Sequence, residues 1–295
     1  LEEVEKVMAA LKGVNMSCME ELSAARERLG SAIQAAREVR VAEAELKDGE
    51  LRRRKLHNAI EDLKGSIRVF CRVRPLSSWE KDQGNESIIE QVDCMTVSVS
   101  NKEQSSSTSF AFDAVFMPGS QEEVFEDCKD LVQSAADGYN VTLFAYGQTG
   151  AGKTFTMEGN NENPGISRRT INEIFKVMND MDGCCEWKVT GSVLELYRQE
   201  LRDLLALSQE QADSRRKIQI RSDGVEGLLE QECQSPEQLS KVLVDAASAR
   251  KTVATAMNPD SSRSHLLFII KIVSINKETQ EKIEGKIMIV DLAGS

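Results

Sequence analysis

The run Gly147-Gln148-Thr149-Gly150-Ala151-Gly152-Lys153-Thr154 constrains the fold of this chain more than any other segment. Its spacing is GxxxxGK[ST], and it follows an apolar, strand-like stretch over 141–146. Glycine at these places lets backbone N–H groups turn inward around an anion without Cβ clashes. Lys153 adds a point charge for phosphate oxygens, and the Thr154 hydroxyl is a hard ligand suited to Mg²⁺. The pattern needs a strand before it and a helix after it, whose N-terminus favours the anion. An α/β domain built around a phosphate loop is therefore expected.

A second stretch complements the first. Residues 282–290 read as a strand that ends in Asp291-Leu292-Ala293-Gly294. A carboxylate at a strand tip is the usual partner of Mg²⁺ in such sites, and a glycine three residues later offers its N–H to a γ-phosphate. Guanine-selective loops of the NKxD type are not matched: Asn101-Lys102-Glu103-Gln104 and Asn276-Lys277-Glu278-Thr279 both lack the aspartate. The expected ligand is ATP (or its product ADP) with Mg²⁺.

Bulk properties exclude several other classes. The net charge is −11 over 295 residues, which argues against nucleic-acid binding through a general basic face. Seven cysteines, an odd count with no CxxC pair, and only two histidines argue for reduced thiols over a disulfide framework or zinc site. No apolar run approaches the roughly 18 residues of a membrane span. The chain opens Leu1-Glu2-Glu3-Val4-Glu5-Lys6, without an initiator Met and unlike a signal peptide. It is expected to be a piece of a longer protein.

Two regions divide near Gly65. Residues 1–64 contain no proline, Phe, Tyr or Trp. Apolar side chains recur at steps of three and four: Leu1, Val4, Met8, Leu11, then Cys18, Leu22, Ala25, Leu29, Ala32, Ala36 and Val39. That is the seam of a coiled coil, with Asn15 on a core position that can set register. The phase slips by three between Leu46 and Leu56, around Gly49. The expectation is a stalk and neck over 1–64 that pairs two copies, a homodimer; the competing reading is a long single helix. The basic run Arg52-Arg53-Arg54-Lys55 reads as a solvated helix face.

From residue 65 to 295 the texture is globular. Ile67, Val69, Cys71 and Val73 alternate with polar or aromatic neighbours until Pro75 stops the strand. Strand-like runs over 141–146, 188–197, 266–276 and 282–290 alternate with helical ones over 121–136, 167–181 and 236–250. This alternation predicts a mostly parallel central sheet. The serine-rich stretch 101–109 reads as a loop.

Four ordered motifs resemble those of kinesin motors. Phe144 through Gly159 resembles their phosphate loop. Asn258-Pro259-Asp260-Ser261-Ser262-Arg263-Ser264-His265 resembles their first switch, NxxSSRSH. Asp291-Leu292-Ala293-Gly294-Ser295 resembles the start of the second, and Arg72-Val73-Arg74-Pro75 the strand that flanks the adenine. The match runs from Ser66 to Ser295. The helix over 56–65 leads straight into the first strand, as in C-terminal-motor (class fourteen) kinesins. Ser66 replaces that class's usual Asn, and Arg198 and Arg168 depart from the wider family.

The resemblance implies a P-loop motor core: a mixed sheet with helices on both faces, preceded by the coiled coil. It implies that Gly147, Gln148, Thr149, Gly150, Ala151, Gly152, Lys153 and Thr154 hold the phosphates. Arg72, Arg74, Pro75 and Phe155 would frame the adenine. Asn258, Ser261, Ser262, Arg263 and Gly294 would carry the catalytic switches, and Thr154, Ser262 and Asp291 would serve Mg²⁺. It implies hydrolysis of ATP, microtubules as the track, movement toward the minus end, and a cytoplasmic, cytoskeletal place that includes the spindle. No nucleic acid or membrane partner is expected. His265 is assigned no chemistry and is expected to be a core residue. In the family the next residue after Ser295 is a glutamate that pairs with Arg263. The alternative reading is a dimeric tether whose head binds nucleotide without cycling.

Overall fold

The computed structural model describes residues 1–11, 14–101, 106–181, 183–209, 218–221, 224–257 and 263–295, with only the backbone described over 252–257. These residues form two compact units, Leu1–Ser120 and Gln121–Ser295.

In the first unit, residues 1–64 do not run as one helix. They form α1 (Glu2–Ala10), α2 (Met19–Glu38) and α3 (Glu43–Lys64), packed on one another. The three-and-four stripe supplies their common core: Val4, Leu11, Leu22, Ala25, Leu29, Ile33, Leu46, Leu56 and Ile60 are all buried. The stripe predicted to face a second chain is thus covered from within. Asn15 is a turn residue between α1 and α2. Its side chain accepts from the Ser17 N–H, and its own N–H donates to Glu21 Oε2. Gly49, at the phase slip, lies where the helices come closest; a Cβ there would stand 3.2 Å from Val4 and 3.4 Å from Ile33. Part of the basic run is not solvated: the Arg53 side chain is 14% exposed and pairs with Glu50 at 2.9 Å. Glu50 also accepts from Arg37 at 2.7 Å, and Arg37 reaches Glu43 at 2.9 Å. Burial is the largest single influence on Glu50 and raises its carboxyl, but the charges and hydrogen bonds of Arg53 and Arg37 together outweigh it and hold the group below its ordinary value.

After Gly65 the first unit continues through β1 (Phe70–Arg72), α4 (Ser78–Asp82), β2 (Ile89–Gln91), β3 (Thr96–Asn101), β4 (Ser106–Ala111) and β5 (Ala114–Phe116). β1 is shorter than the alternation over 67–73 suggests, and it pairs in parallel with β5. β2, β3 and β4 form an antiparallel meander. The loop expected over 101–109 is corrected at Asn101, which ends β3, and over 106–109, which lie in β4; 102–105 lie outside the described residues. β4 is exposed along its whole length and begins with four Ser or Thr residues, so backbone pairing to β3 makes it a strand where the sequence gives little apolar signal.

The second unit runs α5 (Gln121–Ala136), β6 (Asn140–Ala145), α6 (Lys153–Met157), α7 (Ile166–Asp180), β7 (Cys185–Tyr197), β8 (Glu200–Asp203), α8 (Leu204–Ser208), β9 (Gln219–Arg221), β10 (Gly224–Glu226), β11 (Gln231–Cys233), α9 (Pro236–Met257), β12 (Ser264–Asn276) and β13 (Lys282–Asp291). The main sheet has the order β11-β7-β12-β13-β6, with β8 on β7. Helix α5 packs on β6, β12 and β13, and α9 packs on β7 and β11. The sheet is mixed, but the mostly parallel arrangement is not found. Only β13 and β6 run parallel; β7, β12 and β13 form a long antiparallel meander. β12 and β13 follow one another with a short connection and no helix between, which suits antiparallel neighbours and breaks the helix–strand alternation on which the expectation rested.

Candidate functional site

The parallel pairing of β13 with β6 creates the site. Val290 lies opposite Phe144 and Asp291 opposite Ala145, so the carboxyl ends of β13 and β6 finish side by side. Ligands of open α/β sheets gather at such carboxyl ends. The phosphate loop leaves β6 at this point. Gly150 and Gly152 have φ of +83° and +96°, the left-handed region that side chains other than glycine rarely adopt. The helix that follows, α6, is only five residues long. Its dipole is correspondingly small, so the loop and Lys153 must carry most of the anion binding that the sequence expectation shared with a helix N-terminus.

Lys153 Nζ donates to the carbonyls of Gly147 at 2.8 Å and Gln148 at 3.0 Å. Thr154 Oγ1 donates to Asp291 Oδ2 at 2.5 Å. The other oxygen of Asp291 is buried and has no hydrogen-bond partner. A buried carboxylate oxygen without a partner is costly unless a further group meets it. A hydroxyl and a carboxylate are both oxygen donors of the kind Mg²⁺ takes. Among the described residues there is no cluster of three His, Cys, Asp or Glu suited to a metal. The donor set fits the expected ion.

Residues 291–295, expected to begin the second switch, lie against the same loop. A Cβ on Gly294 would stand 2.2 Å from Thr149 Oγ1 and 3.1 Å from the Thr149 backbone nitrogen, so a larger residue requires Thr149 to shift. The Ser295 N–H donates to the Gly147 carbonyl at 3.3 Å. The Ala293 N–H donates to His265 Nδ1 at 3.0 Å, so His265 ties the start of β12 to residues 291–295, a contact its sequence context did not reveal.

Two more residues escaped the sequence reading. Gln121, 4% exposed at the start of α5, donates to the Phe155 carbonyl at 2.7 Å and to that of Asn163 at 3.3 Å. It pins α6 from behind. Glu158 follows α6, and burial together with the charge of Asp291 raises its carboxyl above the ordinary value. An isolated polar residue at a helix start or end carries no recognisable spacing.

Phe155 lies on α6 and is 45% exposed. Gln148, Thr149 and Ala151 lie in the loop, with the Ala151 N–H donating to the Gln148 carbonyl at 3.1 Å. Arg72, Arg74 and Pro75 belong to the first unit. Arg72 Nη2 donates to the Gly119 carbonyl at 3.0 Å, and burial draws its pKa down. Arg74 forms a two-pronged pair with Glu80 at 2.6 and 2.9 Å. That pair and the Ser77 contacts pull Glu80 down to about 2. Glu80 and Ser77 also cap α4 reciprocally. Arg263 is exposed just before β12. Asn258, Ser261 and Ser262 lie outside the described residues.

Comparison with known proteins agrees with this geometry. The kinesin motor domain family matches residues 72–295. Kinesin-like protein KIN-14I of Oryza sativa subsp. japonica is 41% identical over 255 residues, covering 84% of this chain and 20% of that protein. KIN-14E of Arabidopsis thaliana is 37% identical over 295 residues, 95% of this chain and 23% of that protein. Kinesin-like protein klpA of Emericella nidulans is 38% identical over 297 residues, 94% of this chain and 38% of its own length. The chain thus spans well under half the length of these relatives. A solved structure of a fast kinesin superimposes with a TM-score of 0.71 at 36% identity, over 78% of this chain and 66% of that one. Family match, fold and loop geometry point the same way: this chain belongs to the kinesin motor family.

Proposed function

We propose that this chain binds Mg·ATP and hydrolyses it to drive movement or crosslinking along microtubules, toward the minus end. The observation that carries the reading is the meeting of Lys153, Thr154, Asp291 and Gly294 at the ends of β6 and β13. Lys153 would exchange its two carbonyl contacts for phosphate oxygens, and the loop amides would surround the same charge. Thr154 and Asp291 would hold Mg²⁺, which when bound supplies counter-charge to the phosphates. Gly294, with no side chain to intervene, would bring its N–H to the γ-phosphate. Asn258, Ser261, Ser262 and Arg263 are assigned to the first switch by their motif alone. Catalysis on this plan is positioning and electrostatics, with no covalent intermediate on the protein.

The minus-end direction and the microtubule track follow from likeness to the KIN-14 proteins, as does a cytoskeletal place, the spindle included. The full-length protein carrying this sequence should turn over ATP several-fold faster with polymerised tubulin than without. An unstimulated rate would refute the motor reading, and gliding of polarity-marked microtubules would test the direction.

Pairing of two chains through residues 1–64 requires α1, α2 and α3 to separate, because the seam already fills their shared core. Sedimentation of this chain at micromolar concentration is expected to give a species near its own mass of 32.7 kDa. A species at twice that mass would favour the paired coiled coil.

A further inference from the structure

Glu195 lies on β7 inside the sheet of the second unit, with 4% of its surface exposed. A carboxylate so placed needs partners. Its Oε1 accepts from Arg250 Nε at 3.0 Å and from Ser264 Oγ at 2.8 Å. Its Oε2 stands 3.7 Å from Arg202 Nη1. Arg250 Nη2 donates in turn to Ser264 Oγ at 2.7 Å and to the Ser264 carbonyl at 3.3 Å. Each of the three groups therefore touches the other two.

The origin of these groups matters. Arg250 comes from α9, and Ser264 is the first residue of β12. In sequence they bracket Asn258, Ser261 and Ser262, which the function proposed above assigns to the γ-phosphate. One carboxylate on a third element thus anchors the chain on both sides of that stretch. The charge of Arg250 also bears on Glu158, lowering its pKa against burial and the charge of Asp291, which raise it.

We propose that Glu195 is a positioning residue for nucleotide discrimination: through Arg250 and Ser264 it sets where α9 ends and β12 begins, and so how well the chain distinguishes a γ-phosphate from its absence. The inference rests on the nucleotide reading above. A cluster that served packing alone would affect stability and leave discrimination untouched.

The whole chain and two variants are titrated with Mg·ADP and with the Mg²⁺ complex of a β,γ-imido ATP analogue. In Glu195→Gln the ratio of analogue to ADP affinity is expected to fall about tenfold, the worth of roughly one charge-assisted contact, while ADP affinity changes less than about threefold. Ser264→Ala keeps the Glu195–Arg250 pair and removes only the bridging hydroxyl; the same ratio should fall about threefold with little change in melting temperature. Should Glu195→Gln fail to fold, Ser264→Ala decides alone. Folded variants whose ratio matches that of the unaltered chain overturn the inference and leave the nucleotide reading standing. An unaltered chain that binds neither nucleotide overturns both.

Discussion

Lys153→Ala is expected to weaken Mg·ATP and Mg·ADP binding by about two to three orders of magnitude. Contacts to a charged group contribute roughly 1.5–3 kcal/mol each, and an ammonium among phosphate oxygens makes at least two. The cost to folding should be far smaller. Among the described residues Lys153 Nζ bonds to the Gly147 and Gln148 carbonyls, at 2.8 and 3.0 Å, and the residue is partly exposed. Water can replace a donor at such a place, so the loss in stability should stay near or below about 1 kcal/mol. Calorimetric titration alongside thermal unfolding separates the two effects. A variant that melts normally and no longer binds supports the site; one that binds ATP as well as the unaltered chain refutes it.

How much of this was legible in advance depended on whether function or packing dictated the residues. The phosphate loop was legible because its chemistry demands glycine, lysine and threonine at fixed spacing, and Asp291 because it ends an unbroken apolar run. Helix α5 matched its predicted limits, and the long strands β7, β12 and β13 were found where their apolar runs lie. The pairing of β7 with β12 was not legible, since a strand looks the same beside a parallel or an antiparallel neighbour; the antiparallel pairing of β12 with β13 could have been read from their short connection. The stripe in residues 1–64 was read as the seam of a two-chain coiled coil; the helices are present, but a three-and-four repeat does not say whether the partner is another chain or the same one. What decides here is the turn between α2 and α3, where Arg40 takes φ of +60° without a glycine or proline to announce it. Gln121, His265 and Glu195 were invisible for a related reason. Each acts through contacts with residues distant in sequence.

Gly285→Ala is expected to cost the second unit about 3 kcal/mol, among the largest effects of adding a single methyl group to this chain. Gly285 is buried within β13, where that strand crosses the end of α5. A Cβ there would stand 1.9 Å from the Ala135 carbonyl oxygen, 2.9 Å from its carbon and 3.1 Å from the Tyr139 oxygen. All three atoms are backbone, so no rotamer change relieves the overlap. The turn from α5 into β6 is itself pinned, with the Tyr139 N–H donating to the Ser134 carbonyl and the Lys286 N–H to the Tyr139 carbonyl. Either β13 or the end of α5 must move, and overpacking of this kind costs roughly 1–3 kcal/mol or more. For a unit of this size that corresponds to a fall of about 6–12 °C in melting temperature. Gly30 is the matched control. It lies within α2, where a Cβ would meet nothing within 4 Å, so Gly30→Ala should be neutral or stabilise by up to about 1 kcal/mol. Asp291 lies six residues further along β13, roughly 20 Å from the clash at strand rise. Folded Gly285→Ala protein should therefore still bind Mg·ADP near normally below its lowered melting temperature. If instead it melts within about 2 °C of the unaltered chain, β13 does not cross α5 as closely as described, and the path by which that strand delivers Asp291 to the phosphate loop must be redrawn.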